Sequence, residues 1–102
     1  MKIKEGAVMN GLNIKMRIVL KNADEIWKDH GQELVITEGT GGTHSAGSLH
    51  YYGYAVDLRT NYFSASEISS VVQALKEELC SDYDVVFEGT HIHVEYNKAK
   101  EL

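Results

Sequence analysis

Proline is absent from this chain of 102 residues, and cysteine occurs once, as Cys80. A single thiol excludes an intramolecular disulfide and leaves the redox compartment open. With no proline, no repeat and no low-complexity tract, nothing marks an internal linker. No apolar run approaches the roughly 18 residues that cross a bilayer, so membrane insertion is not expected. Basic residues are also scarce: 10 Lys and Arg stand against 15 Asp and Glu, a formal charge of −5. Phosphate binding relies on Lys and Arg, so nucleic acid is not an expected partner. Met1 to Gly6 lacks the apolar segment of a secretory signal. The expectation is a chain made in the cytoplasm that acts there or leaves by a route its own sequence does not encode.

What remains is an ordinary globular composition, 43% hydrophobic and 25% charged, which argues against disorder. The length suits one domain over residues 1–102 with one modest core. Residues 1–11 show little periodicity and read as a lead-in. From about Asn13 to His30 the pattern is helical, with Val19, Ala23, Ile26, Trp27 and His30 on one stripe and Gly31 as the stop. Leu34 to Thr37 is a short β-branched run and reads as a buried strand. Residues 38–50 hold four glycines and read as a long functional loop. Tyr54 to Arg59 alternates as a strand, with Asp57 and Arg59 on the face opposite Val56 and Leu58. Ser64 and Glu67 form a capping box ahead of a helix carrying Ile68, Val71, Val72, Leu75 and Leu79 on one face. Asp84 to Glu88 and His91 to Tyr96 read as strands around a turn at Gly89-Thr90. The expected fold is α+β: a mostly antiparallel sheet of about four strands with two main helices.

Chemistry concentrates in two places. The first is Ser48-Leu49-His50-Tyr51-Tyr52-Gly53-Tyr54-Ala55-Val56-Asp57, and the second is His91-Ile92-His93. Two imidazoles and a carboxylate are the ligands a catalytic zinc prefers, with a fourth position left for water. Asp57 and His93 sit on the polar faces of their strands, and His50 ends the glycine-rich loop, from where it can fold back over Asp57. Residues two apart on a strand lie about 6.5–7 Å apart, which makes joint ligation of one ion by His91 and His93 awkward. One of the two is therefore expected as ligand and the other in a second role. Glu88, at the edge of the hairpin, is the candidate general base, and His91 the candidate for moving a proton or supporting an oxyanion. Alone, an HxH on a strand is more often a solvated face. His44 and Ser48 in the loop and Arg59 on the Asp57 face are candidate substrate contacts. Tyr51, Tyr52 and Tyr54 either line a groove or pack the loop. His30 and Trp27 read as structural, and Cys80 as a small buried or half-buried side chain.

These residues resemble the zinc D-Ala-D-Ala carboxypeptidase and L-alanyl-D-glutamate endopeptidase family of peptidoglycan peptidases, whose fold group includes the Hedgehog signalling domain. The fingerprint SxHxxGxAxD is matched at every fixed position from Ser48 to Asp57, and Glu88-Gly89-Thr90-His91-Ile92-His93 is similar to the second fingerprint. The resemblance implies zinc held by His50, Asp57 and His93, with Glu88 or His91 handling protons. It implies a metallopeptidase acting on the peptidoglycan stem peptide at a bond involving a D-amino acid. Two departures stand out. Members with a Glu three residues before the metal His would make His91, partnered by Glu88, the ligand in place of His93. The other concerns an arginine. Many members carry an Arg shortly after the Ile-Thr strand to hold the substrate's terminal carboxylate, and residues 38–44 contain none. That mildly favours endopeptidase action, unless Arg59 substitutes. A small catalytic unit without a signal fits a phage or prophage lysis enzyme by analogy. The alternative implied by the same fold group is a zinc-binding domain without turnover, in a phage particle or a signalling role.

Overall fold

Two helices form where apolar residues recur at helical spacing. The first, α1 (Lys15–Asp29), buries Met16, Val19, Ala23, Ile26 and Trp27 along one stripe. It stops at Gly31, whose φ of 74° is a left-handed conformation that costs glycine little. The second, α2 (Ala65–Leu79), begins with a full capping box. The Glu67 N–H donates to Ser64 Oγ at 3.2 Å, and the Ser64 N–H donates to Glu67 Oε1 at 3.1 Å. Such a cap contributes about 1 kcal/mol by satisfying orphan donors of the first turn. Val71, Leu75 and Leu79 of α2 are buried. Cys80 departs from expectation: it is exposed and adopts a positive φ of 57° as the chain leaves the helix. Leu79 is the last apolar anchor of α2, and the chain turns away from the core directly after it.

The strands are β1 (Lys2–Ile3), β2 (Val35–Glu38), β3 (Ala55–Arg59), β4 (Tyr83–Phe87) and β5 (His91–Tyr96). They form one five-stranded mixed sheet in the order β1-β2-β3-β5-β4. The pairs β2–β3, β3–β5 and β5–β4 are antiparallel, and β1 joins β2 in parallel. The protein is thus α+β, with two helices and, among the described residues, one strand more than the approximate four expected. The extra strand is β1, within the segment read as lead-in. Two residues are too few to show alternation, and β1 is held by partners instead: Lys2 N–H donates to the Leu34 carbonyl at 2.7 Å and Lys4 N–H to that of Ile36 at 2.9 Å. The computed structural model describes residues 1–41, 50 and 53–98.

Both helices contribute to one core with the inward side chains of the sheet: Ile36, Val56, Leu58, Val85, Ile92 and Val94 are all buried. Each large side chain buried in this way contributes roughly 1.5–3 kcal/mol. Trp27 ties α1 to the end of β3. Its Nε1–H lies 3.0 Å from Tyr62 Oη and 3.2 Å from the Arg59 carbonyl. Phe63 packs edge-on against Trp27 and against His30, whose Nδ1 bonds the Ile26 carbonyl. His30 and Trp27 are structural, as expected. With its inward face fixed this way, the sheet presents its other face as a platform for polar side chains.

Candidate metal centre and its cleft

The register between β3 and β5 brings the polar residues together. Val56 lies opposite Val94 and Leu58 opposite Ile92, and these four side chains belong to the core. The residues between them point the other way, so Asp57 faces His93 and Arg59 faces His91 across the same pair. Directly opposed residues on one face stand about 4.5–5.5 Å apart at Cβ, within reach of a hydrogen bond between short polar side chains. His93 Nδ1 accordingly lies 2.9 Å from Asp57 Oδ1.

His50 arrives from outside the sheet, held by two features. The first is Gly53, with φ 78°, where a Cβ would run into the Gly11 carbonyl. Only glycine fits there, and its carbonyl accepts the Asn13 N–H at 2.8 Å while its N–H reaches the His50 carbonyl at 3.1 Å. The second is an irregularity between Ile36 and Glu38, where the β2–β3 register shifts. Bulges of this kind re-aim side chains and strand ends near functional sites. Just past it, the Gly39 carbonyl accepts from His50 Nδ1 at 2.8 Å. That bond fixes the ring with Nε2 aimed inward, towards Asp57 and His93.

His50 Nε2, Asp57 Oδ1 and His93 Nδ1 form a triangle with edges of 3.2, 2.9 and 3.2 Å. His50 is 3% exposed and Asp57 6%, so two of the three donors are buried, and His93 is half-buried. Burial opposes ionisation of Asp57. The hydrogen bonds from His50 and His93, with the charges of His50 and His91, outweigh it and hold the carboxyl well below the usual carboxylate range. His93 moves the other way. Its bond to Asp57 works against burial, a second bond from Nε2 to Glu95 at 2.8 Å helps, and its pKa is pushed up to about 9. A buried carboxylate and two imidazoles, each imidazole anchored through its other nitrogen, make a candidate site for a divalent metal ion.

A second pair stands beside the triangle. Glu88 follows β4, and its N–H donates to the His91 carbonyl at 2.8 Å across the two-residue turn Gly89-Thr90. Glu88 and His91 therefore face one another, and Glu88 Oε1 lies 3.1 Å from His91 Nε2. The Glu88 side chain is 47% exposed, so it meets solvent far more than His50 and Asp57 do. Asp57 Oδ2 lies 3.7 Å from His91 Nε2. Alongside opens a cleft of about 390 Å³ lined by Asp57, His91, Arg59 and Lys4, among others.

The expected residues sort as follows. His50, Asp57 and His93 converge, with Glu88 and His91 adjacent and Arg59 on the cleft wall. His44, Ser48, Tyr51 and Tyr52 lie outside the described residues. Tyr54 stacks on Tyr96 with ring centroids 5.9 Å apart, so it packs against β5. Three contributors were not read from the sequence as parts of the site: the Gly39 carbonyl, Lys4, and Thr37, whose Oγ1 donates to the Asp57 carbonyl at 3.3 Å. Glu95 could be placed on the His93 face by alternation alone, but its contact with Nε2 could not. No protein-family model and no curated protein matches the chain. Among the described residues, no helix is long and apolar enough to cross a membrane.

Proposed function

We propose that the chain is a zinc metallopeptidase that hydrolyses a peptide bond in peptidoglycan stem peptides, with the fold of the Hedgehog and DD-peptidase group. The observation that carries this reading is the triangle of His50, Asp57 and His93 with the Glu88–His91 pair against it. Zinc bonds of about 2.0–2.1 Å in a tetrahedron set donor atoms about 3.3 Å apart. Edges of 2.9–3.2 Å need only a slight opening to accept the ion, and two nitrogens and one oxygen leave one position for water. When bound, zinc supplies a Lewis acid and brings the pKa of water down to about 7.

The residues divide the remaining work. His50, Asp57 and His93 hold the ion, and Gly39 and Glu95 keep the two imidazoles in the tautomers that ligation needs. Glu88 takes the proton of the attacking water and returns it to the leaving amine, a role its exposed carboxylate beside the cleft suits. His91 orients Glu88 from 3.1 Å and supports the negative charge that develops on the scissile oxygen. Arg59 and Lys4, which share the cleft lining with Glu38 and Asp57, are the cations available there to a carboxylate on the leaving side of the bond. They stand in for the Arg missing after β2, which keeps both carboxypeptidase and endopeptidase action within this reading.

The test is paired. Zinc per chain is measured on the purified protein, and the protein is then incubated with purified peptidoglycan and the released ends identified by mass spectrometry. The expected outcome is at least one zinc per chain, new peptide ends, and a fall in rate of about 10²–10⁴-fold for Glu88→Gln. Zinc with no new ends from several wall chemistries would instead support a zinc-binding domain without turnover. A folded protein that takes up no zinc would end both readings.

A further inference from the structure

Asp57 turns its two oxygens towards different partners. Oδ1 belongs to the triangle with His50 and His93, and Oδ2 points towards His91 Nε2, 3.7 Å away. Glu88 Oε1 lies 3.1 Å from the same His91 nitrogen and 3.9 Å from His93 Nδ1. One donor atom from each of Asp57, Glu88 and His91 falls within 4.8 Å of the others. Two carboxylates and an imidazole are a sufficient donor set for a divalent ion. Two such clusters sharing one carboxylate have the arrangement of two-ion sites, in which the ions stand about 3.5–4 Å apart.

We propose that Asp57, Glu88 and His91 form a second divalent-cation site, bridged to the first through Asp57, and that its occupation inhibits the enzyme at excess metal. The inhibitory consequence rests on the metallopeptidase reading above. The chemistry is direct competition. A lone pair of Glu88 that accepts a proton from water is the same lone pair that binds a cation, and a ligated His91 no longer orients Glu88 or supports the scissile oxygen. The second site is also the weaker of the two. It has one imidazole instead of two, it shares the charge of Asp57 with a neighbouring cation, and Glu88 is exposed to water over about half its side chain, whereas His50 is buried.

The probe is zinc alone. Metal-free protein is dialysed to equilibrium against rising zinc, and bound metal is counted with the rate of peptidoglycan hydrolysis followed in parallel. Wild type is expected to bind two zinc per chain, with the rate rising over the first equivalent and falling over the second. His91→Ala and Glu88→Gln are each expected to bind one, with circular dichroism confirming that both variants are folded. Saturation of wild type at one zinc would overturn the second site while leaving the first intact. Retention of two zinc by both variants would overturn it as well, since the second ion would then lie elsewhere in the chain. A rate that climbs further with the second equivalent would overturn the inhibitory role. Wild type that binds none would remove the metallopeptidase reading and this site together.

Discussion

Zinc binding should expel a proton from His93, and the count is set by the geometry of the triangle. In the metal-free protein the bond to Asp57 and the bond to Glu95 hold this imidazole's pKa at about 9. At pH 7 about 99% of the molecules then carry the extra proton, against roughly a quarter for an ordinary histidine of pKa near 6.5. A ligating imidazole must be neutral, so Nδ1 has to lose its proton before it can bind. At least one proton should therefore leave per zinc at pH 7, and the apparent affinity should rise about tenfold per pH unit up to pH 9. Calorimetric titration in two buffers of different ionisation enthalpy gives the proton count directly, and repeating it at pH 7 and pH 8 gives the slope. Glu95→Gln removes one of the contacts that raise the pKa, so the steep range should end at a lower pH in that variant. Zinc that binds wild type at pH 7 with no proton released, or with an affinity flat between pH 7 and 8, would refute the placement of His93 as a ligand charged in the metal-free state.

Other consequences follow from the same contacts. Glu95→Ala leaves His93 Nε2 without its partner and should weaken zinc binding about 10–100-fold with little change in secondary structure, as read by competition with a chelating dye. Gly53→Ala forces a Cβ towards the Gly11 carbonyl at a positive φ. It should cost about 2 kcal/mol or more and lower Tm by roughly 8 °C or more, and an unchanged Tm would contradict the tight approach of the two segments. The metal-free protein should have a bounded pH range of stability. His93 has a raised pKa, so its contribution of about 3 kcal/mol is complete below pH 6.5 and lost as pH rises through 9. Asp57 has a lowered pKa, so its contribution is present above the ordinary carboxylate range and lost as pH falls below it. Urea midpoints from pH 3 to 10 would show this, and a stability that increases from pH 6.5 to 9 without metal would be inconsistent with it. On the peptidase proposal, Arg59→Ala should raise KM for a stem peptide with a free carboxylate on the leaving side more than it lowers kcat, because a contact of that kind would serve binding in both ground and transition states.

The sequence by itself determined the elements and the identity of the chemical groups. Periodicity located α1, α2 and the alternating strands, because a helix or a half-buried strand must repeat its apolar residues at a fixed interval to bury one face. The same alternation assigned Asp57, Arg59, His91, His93 and Glu95 to the polar face. It could not reveal β1, because two residues are too short to show a period and that strand exists only through its parallel bonds to β2. Nor could it separate His93 from His91 on local grounds, since both occupy equivalent positions on one strand. Register decides which of them meets the carboxylate: β5 pairs with β3 so that Asp57 meets His93, while His91 falls opposite Arg59 and, across the hairpin, opposite Glu88. A shift of two residues would have kept every side chain on its face and exchanged the two histidines. Pairing between distant strands, the irregularity beside Glu38 and the fit of Gly53 against Gly11 are contacts between remote parts of the chain. The closed triangle, its shared carboxylate and the perturbed protonation of His93 arise only once those contacts have formed.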